Sequence, residues 1–115
     1  MTQEDASRNV LIDRLLDLAA HTAIVHHIPG RVRLKVKLSG LTLAMSLDID
    51  DVIKCFDGVL DVRTNAAARS IVINYDTRVI SPDLWENLVN GNKDPSIKTS
   101  VQKQLEELSR SPESG

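Results

Sequence analysis

Two adjacent histidines begin the stretch HHIPGRVRLKVKL, residues 26–38. Neutral imidazole is a good ligand for Zn, Cu or Fe, so His26 and His27 are candidate metal ligands. A haem would also accept an axial histidine. Because consecutive side chains of an extended strand point to opposite faces, the pair is expected to share one ion only at a kink or across a dimer.

Four cations follow the histidines, each separated from the next by one apolar residue: Arg31, Arg33, Lys35 and Lys37. This alternation is typical of a half-buried strand whose cations lie on the solvated face of a sheet. The cations are candidate contacts for an anionic partner, which could be a phosphate, an acidic protein or a membrane surface. If the strand lies at an edge of the sheet, they also discourage pairing with another sheet.

The composition restricts the class of protein. The chain has 115 residues, a formal net charge of −2 and a sequence pI near 5.9, which argues against a general nucleic-acid binder. The only aromatic residues are Phe56, Tyr75 and Trp85, so the stacking platforms of an RNA-binding sheet are not expected. The single cysteine, Cys55, excludes an intramolecular disulfide.

Neither a membrane segment nor catalysis is expected from the sequence. The N-terminus MTQEDASRN is polar and acidic, unlike a signal peptide, and no apolar run approaches the roughly 20 residues of a membrane span. We therefore expect a cytoplasmic protein. The chain has no Gly-rich phosphate loop, no His-Glu-x-x-His and no Ser-x-Gly elbow, so the sequence predicts a protein that is not an enzyme.

Hydrophobic periodicity and capping residues predict the elements that position these side chains. A helix capped by Ser7, a long strand broken at Pro29-Gly30 and a loop form the first part. A helix capped by Asp48 and a hairpin turning at AAAR follow, and Ser81 caps a further helix. A possible fourth strand, a terminal helix and a disordered tail complete the chain. In order, they are the helix 7–20, the strand 23–38, the loop 39–46, the helix 48–58, the strands 59–65 and 70–76, the helix 81–91, the fourth strand 95–101, the terminal helix 100–110 and the tail 111–115.

The central order β-α-β-β-α is that of a split βαβ unit. The sequence therefore predicts an α+β protein, a ferredoxin-like βαββα sandwich whose fourth strand would come from residues 95–101. The predicted organisation is a helical extension over 1–22, the sandwich over 23–94, and a C-terminal strand or helix with a tail over 95–115. The two terminal helices are expected to cover an open sheet face or to form a dimer.

The segment DGVLDVRTNAAARSIVINYDTRVISPDLWENLVNG, residues 57–91, resembles the second half of a heavy-metal-associated (HMA) domain. HHIPGRVRL resembles the His-x-x-Pro-Gly-Arg-x-Arg opening of a divergent branch found near P-type metal-transporting ATPases. The resemblance covers residues 24–91. The family pattern falls on Gly58, Val59, Val62, Asn65, Ile73, Tyr75, Asp76, Ser81, Pro82 and Leu84.

The resemblance implies a role in the handling of transition metals, with iron as one candidate, as an accessory to a P-type metal ATPase or a storage compartment. The Cys-x-x-Cys of metal-binding relatives is missing, since the corresponding loop SGLTLAMS carries only the thioether of Met45. The first hypothesis is thus a non-catalytic module that acts through protein contacts. The alternatives are a direct binder of Fe, Zn, Cu or haem through His26 and His27, and a structural adaptor or homodimer.

Overall fold

The protein has an α+β architecture, described by a computed structural model for residues 3–46 and 48–109. The expected disordered tail, residues 111–115, lies outside this range. The α-helices are α1 (Gln3–Ala19), α2 (Leu41–Ser46), α3 (Ile49–Lys54), α4 (Pro82–Asn90) and α5 (Pro95–Leu108). The strands are β1 (Thr22–Ile28), β2 (Arg31–Val36), β3 (Val59–Asn65) and β4 (Ser70–Tyr75).

The four strands form one antiparallel sheet in the order β1-β2-β4-β3. Since β2 and β3 are each antiparallel to β4, they run parallel to one another on its two sides. The chain crosses from β2 to β3 through α2 and α3, then turns back into β4 through a tight turn at residues 66–69. The predicted strands 59–65 and 70–76 are confirmed.

Two helices begin at the capping residues that the sequence predicts. The side chain of Asp48 accepts a hydrogen bond from the backbone N–H of Asp51 at the start of α3. Ser81 caps α4 in the same way through the N–H of Asp83, and Pro82 occupies the first helical position, where no donor is lost. The N-terminal helix begins at Gln3, so the predicted cap at Ser7 is wrong.

Three predicted elements differ from the structure. Residues 23–38 form two strands, because the chain reverses at Pro29-Gly30 instead of continuing. The predicted loop 39–46 lies in a 3₁₀ turn (Leu38–Gly40) and α2. Residues 95–101 belong to α5, where Asp94 caps the helix through the N–H of Ser96; the fourth strand is β1.

The core lies between one face of the sheet and the helices. The inward-facing residues of β2 and β4 are all buried, and residues of α1, α4 and α5 belong to the same cluster. Its strand members are Val32, Leu34, Val36, Val59, Val62, Ile71, Ile73 and Tyr75, and its helical members include Ile12, Leu15, Leu84, Trp85, Val101 and Leu105. Burial of this apolar surface is the main force that stabilises the fold.

Both edges of the sheet carry a bulge. In β1 the pairing with β2 skips Val25, and in β3 the pairing with β4 skips Leu60; both side chains are exposed. Bulges twist an edge and make it a poor template for further strands. Arg31, Arg33 and Lys35 lie on β2, which is an inner strand, so the condition under which the cations would protect an edge is not met. Within the described ranges, no helix is long and apolar enough to cross a membrane.

Candidate functional site

The turn between β1 and β2 places the two histidines. Ile28 pairs with Arg31, so Pro29 and Gly30 form a two-residue hairpin loop. Gly30 has φ +91°, a left-handed conformation that glycine adopts without strain and that the position after proline requires in a type II turn. The Pro-Gly pair is therefore a chain reversal, which brings β1 beside β2.

The bulge at Val25 then sets the direction of each imidazole. Ile24 pairs with Leu34 on the helix-facing side, whereas His26 pairs with Arg33 on the opposite, open face. His27 pairs with buried Val32 and therefore points toward the helices. The structure thus places His26 and His27 on different faces of the sheet, as the alternation along a strand predicts.

His27 bridges β1 to two other elements. Its Nδ1 lies 2.8 Å from Oε2 of Glu86 in α4, and its Nε2 lies 2.8 Å from the hydroxyl of Tyr75 in β4. A carboxylate only accepts, so we assign a proton to Nδ1, which donates to Glu86, and the Tyr75 hydroxyl is the hydrogen-bond partner of Nε2. The His27 side chain is only 10% exposed. Both ring nitrogens are engaged within the fold.

Tyr75 completes this arrangement, which we call the His27 network (His27, Tyr75 and Glu86). The ring of Tyr75 packs against Trp85, with centroids 5.3 Å apart. Burial raises the pKa of the Tyr75 phenol, a backbone hydrogen bond from Gly30 lowers it in part, and the charge of Glu86 raises it further. The network therefore ties the Pro-Gly turn to β4 and α4, which gives the HHIPG stretch a structural role.

The remaining candidate ligands do not converge. Within residues 3–46 and 48–109, no group of three or more His, Cys, Asp or Glu side chains is placed to hold a metal ion. His21 Nδ1 is hydrogen-bonded to the hydroxyl of Ser39 at 2.9 Å, and Cys55 is exposed beyond the end of α3. Met45 is 78% exposed. His26 remains exposed on the open face.

The open face of the sheet carries the cations. Arg31, Arg33 and Lys35 are exposed there, and β3 adds Arg63. Lys37 lies past the end of β2, beside β1 and α4. It does not join the other cations. Among the strand residues on this face, Asp61 is the only carboxylate, and it accepts from Arg63 Nε at 3.1 Å.

Strand register brings the guanidinium groups around one shallow groove. Val72 pairs with Arg33 on one side and with Arg63 on the other, so the two arginine backbones lie about 10 Å apart. Arg31, Asn74 and Ser70 also line this cationic groove, as do Thr64 and Asn65. Guanidinium forks and amide or hydroxyl donors around an open apolar floor suit carboxylate or phosphate groups.

Sequence reasoning missed the partners of His27. Glu86 lies 59 positions away and Tyr75 lies 48 positions away, so no local spacing connects them to the histidine. The available signal was the helical position of Glu86 beside the buried face of α4 and the single tyrosine of the chain. These two facts become informative only once β1 is known to lie beside β2 and beneath α4.

Comparison of the chain with models of known protein families, with curated proteins and with solved structures finds no match. The function must therefore be argued from the site itself. Two features carry that argument: the fully engaged His27 network on the helix-facing side and the cationic groove on the open face.

Proposed function

We propose that the protein is a non-catalytic, cytoplasmic interaction module that binds an acidic protein partner through the open face of its sheet. The observation that carries this proposal is the collection of Arg31, Arg33, Lys35 and Arg63 on one exposed face of a chain whose net charge is −2. Such a separation of charge steers an anionic partner to one face and fixes its orientation.

The fold class within this proposal is a ferredoxin-like sandwich of the HMA type. Its support is the split βαβ unit, in which β2 and β3 flank β4 and are connected through α3. The fourth strand, β1, precedes the unit in the chain, whereas the family pattern expects a strand after the second helix. We place the module, on the strength of the resemblance alone, in transition-metal handling beside a P-type metal ATPase or a storage compartment.

Direct metal or haem binding through the paired histidines has less support. The two imidazoles point to opposite faces, and both nitrogens of His27 are already hydrogen-bonded. A metal held by His26 would need ligands from a second molecule. The open face offers guanidinium groups instead, which repel cations and attract carboxylates. The geometry therefore favours a protein contact over a metal centre.

The test is a titration of isotopically labelled protein with a glutamate-rich peptide, followed by NMR. We expect concentration-dependent shifts confined to the open face, with His26, Arg33, Asp61 and Val72 among the affected amides. Binding should weaken as salt rises, because exposed charges are screened. Shifts scattered over the helices, or none at all, would contradict the proposal.

A matched pair of variants distinguishes binding by the open face from a general effect of net charge. In the first variant, Arg31, Arg33 and Arg63 are replaced by Gln. In the control, three exposed lysines on the helical side, Lys93, Lys98 and Lys103, are replaced by Gln. Both changes remove three positive charges. Only the arginine variant should lose peptide binding, and equal losses would show that net charge alone is responsible.

A further inference from the structure

A second groove lies between α2 and the turn that joins β3 to β4. Leu41 and Met45 of α2 form one wall, and Arg69 in the turn forms another. The groove encloses about 700 Å³, within the range of ligand-binding clefts. It shares Thr64, Asn65 and Ser70 with the cationic groove, so the two depressions form one continuous surface.

The wall formed by α2 is apolar and open. The Met45 side chain is 78% exposed, and Leu41, one helical turn earlier, is 36% exposed. Ile49, which is partly buried, and Ile71, which belongs to the core, line the same groove. Methionine is flexible and polarisable, and it adapts to apolar partners of different shapes. Exposed apolar side chains gathered along one groove are typical of a protein interaction site.

Two polar atoms in this α2 groove lack partners. Asp50 Oδ1 and Arg69 Nε are shielded from solvent and have no hydrogen-bond partner among the described residues. Shielded polar atoms are normally satisfied, so this unpaired acceptor and donor are unusual. Arg69 also has φ +53°, an uncommon conformation for a residue other than glycine.

We propose that the partner segment is amphipathic and binds in one polarity across both grooves. This inference rests on the proposed function. The carboxylates of the segment lie over Arg33 and Arg63, and its apolar end lies against Leu41 and Met45. Asp48 and Asp50 line the α2 groove and repel further carboxylates there, which fixes the apolar end at α2.

The test compares two fluorescent peptides by anisotropy. One has a block of glutamates followed by a block of leucines and alanines, and the other has serine in place of each leucine. We expect the protein to bind the first peptide roughly tenfold more tightly, the effect of burying one or two apolar side chains. The double variant Leu41→Gln, Met45→Gln should abolish this preference and leave binding of the serine peptide unchanged.

A control variant and a vesicle assay complete the design. Leu60→Gln removes an exposed apolar side chain from β3, outside the α2 groove, and should keep the preference. Equal affinity for both peptides, or a preference that survives the double variant, would overturn this inference. If both peptides bind with equal affinity and the binding depends on the arginines, the proposed function stands although this inference fails. If neither peptide binds, the proposed function is overturned as well. Tighter, Met45-dependent binding to phosphatidylserine vesicles would assign the surface to a membrane and overturn the inference.

Discussion

The two faces of the sheet are formed by the same strands, but their polar side chains lie in opposite environments. On the helix-facing side, both nitrogens of His27 are hydrogen-bonded at 2.8 Å and its side chain is 10% exposed. On the open face, Arg31, Arg33 and Lys35 form no ion pair within the part of the chain that the structure describes. Polar groups with every partner inside the fold serve stability, whereas exposed cations without partners remain available for binding.

The largest expected difference between the faces concerns packing. Ile73 and Val72 are neighbours in β4; Ile73 is fully buried against the helices and Val72 lies on the open face. Ile73→Ala should lower the free energy of unfolding by about 2–5 kcal/mol, because it leaves a cavity in the core. Val72→Ala should cost no more than about 1 kcal/mol. Urea denaturation of both variants measures the difference, and equal losses would mean that the open face is also covered.

The two histidines provide a second, smaller contrast. His27→Leu removes a partner from the Tyr75 hydroxyl and from Glu86, and we expect it to cost about 1–3 kcal/mol of unfolding free energy. His26→Leu, one residue earlier but on the open face, should stay within about 0.5 kcal/mol of the unchanged protein. Urea unfolding under the same conditions tests both. A larger loss for His26 would contradict the assignment of the two side chains to their faces.

The pH dependence of stability isolates one member of the His27 network. Burial raises the pKa of Tyr75 above its usual value of 10.0, so the unfolded chain loses this proton first as the pH rises. The stability due to the neutral phenol is therefore complete below pH 10 and is lost as the pH rises through the pKa of the folded state. Comparing the free energy of unfolding of the unchanged protein with that of Tyr75→Phe across this pH range isolates the contribution of the phenol.

The ionisation of Tyr75 can also be measured directly, beside the comparison of the two unfolding curves. Tyr75 is the only tyrosine of the chain, so the ultraviolet absorbance of phenolate reports its ionisation without interference from another tyrosine. Ionisation should be delayed in the folded protein relative to the protein in urea. Coincident titration curves would show that the phenol is not shielded by Trp85 and the His27 network.

The sequence was sufficient for elements whose signals are local. The caps Asp48 and Ser81 and the alternating strands of the β3–β4 hairpin carry their own start and stop residues, and the structure has them where predicted. The alternation from Arg31 to Val36 also assigned the cations to a solvated face. Periodicity and capping depend on neighbours within a few positions, so one chain contains the whole signal.

Elements that depend on distant contacts were not predictable in the same way. Pro29-Gly30 is compatible with a bend or a reversal, and only the pairing of β1 with β2 decides between them. The stretch 95–101 was compatible with a strand until Val101 and Leu105 were seen buried as part of α5. The cationic groove needs Arg63 from one strand and Arg33 from another. Their proximity follows from the sheet order and not from any sequence spacing.

The smallest expected effect on stability comes from the open face. Asp61 and Arg63 form an ion pair whose side chains are 42% and 82% exposed, and such pairs contribute between 0 and about 1 kcal/mol. Asp61→Asn should therefore leave the urea midpoint nearly unchanged.

The same variant, Asp61→Asn, also removes the one carboxylate among the strand residues of the open face and releases Arg63. Affinity for a glutamate-rich peptide should therefore rise by a factor of about 2 to 5. Asp13→Asn makes the same change of charge at an exposed position of α1 and should leave the affinity unaltered. If both variants bind more tightly by the same factor, the peptide senses only net charge, and the open face holds no oriented site.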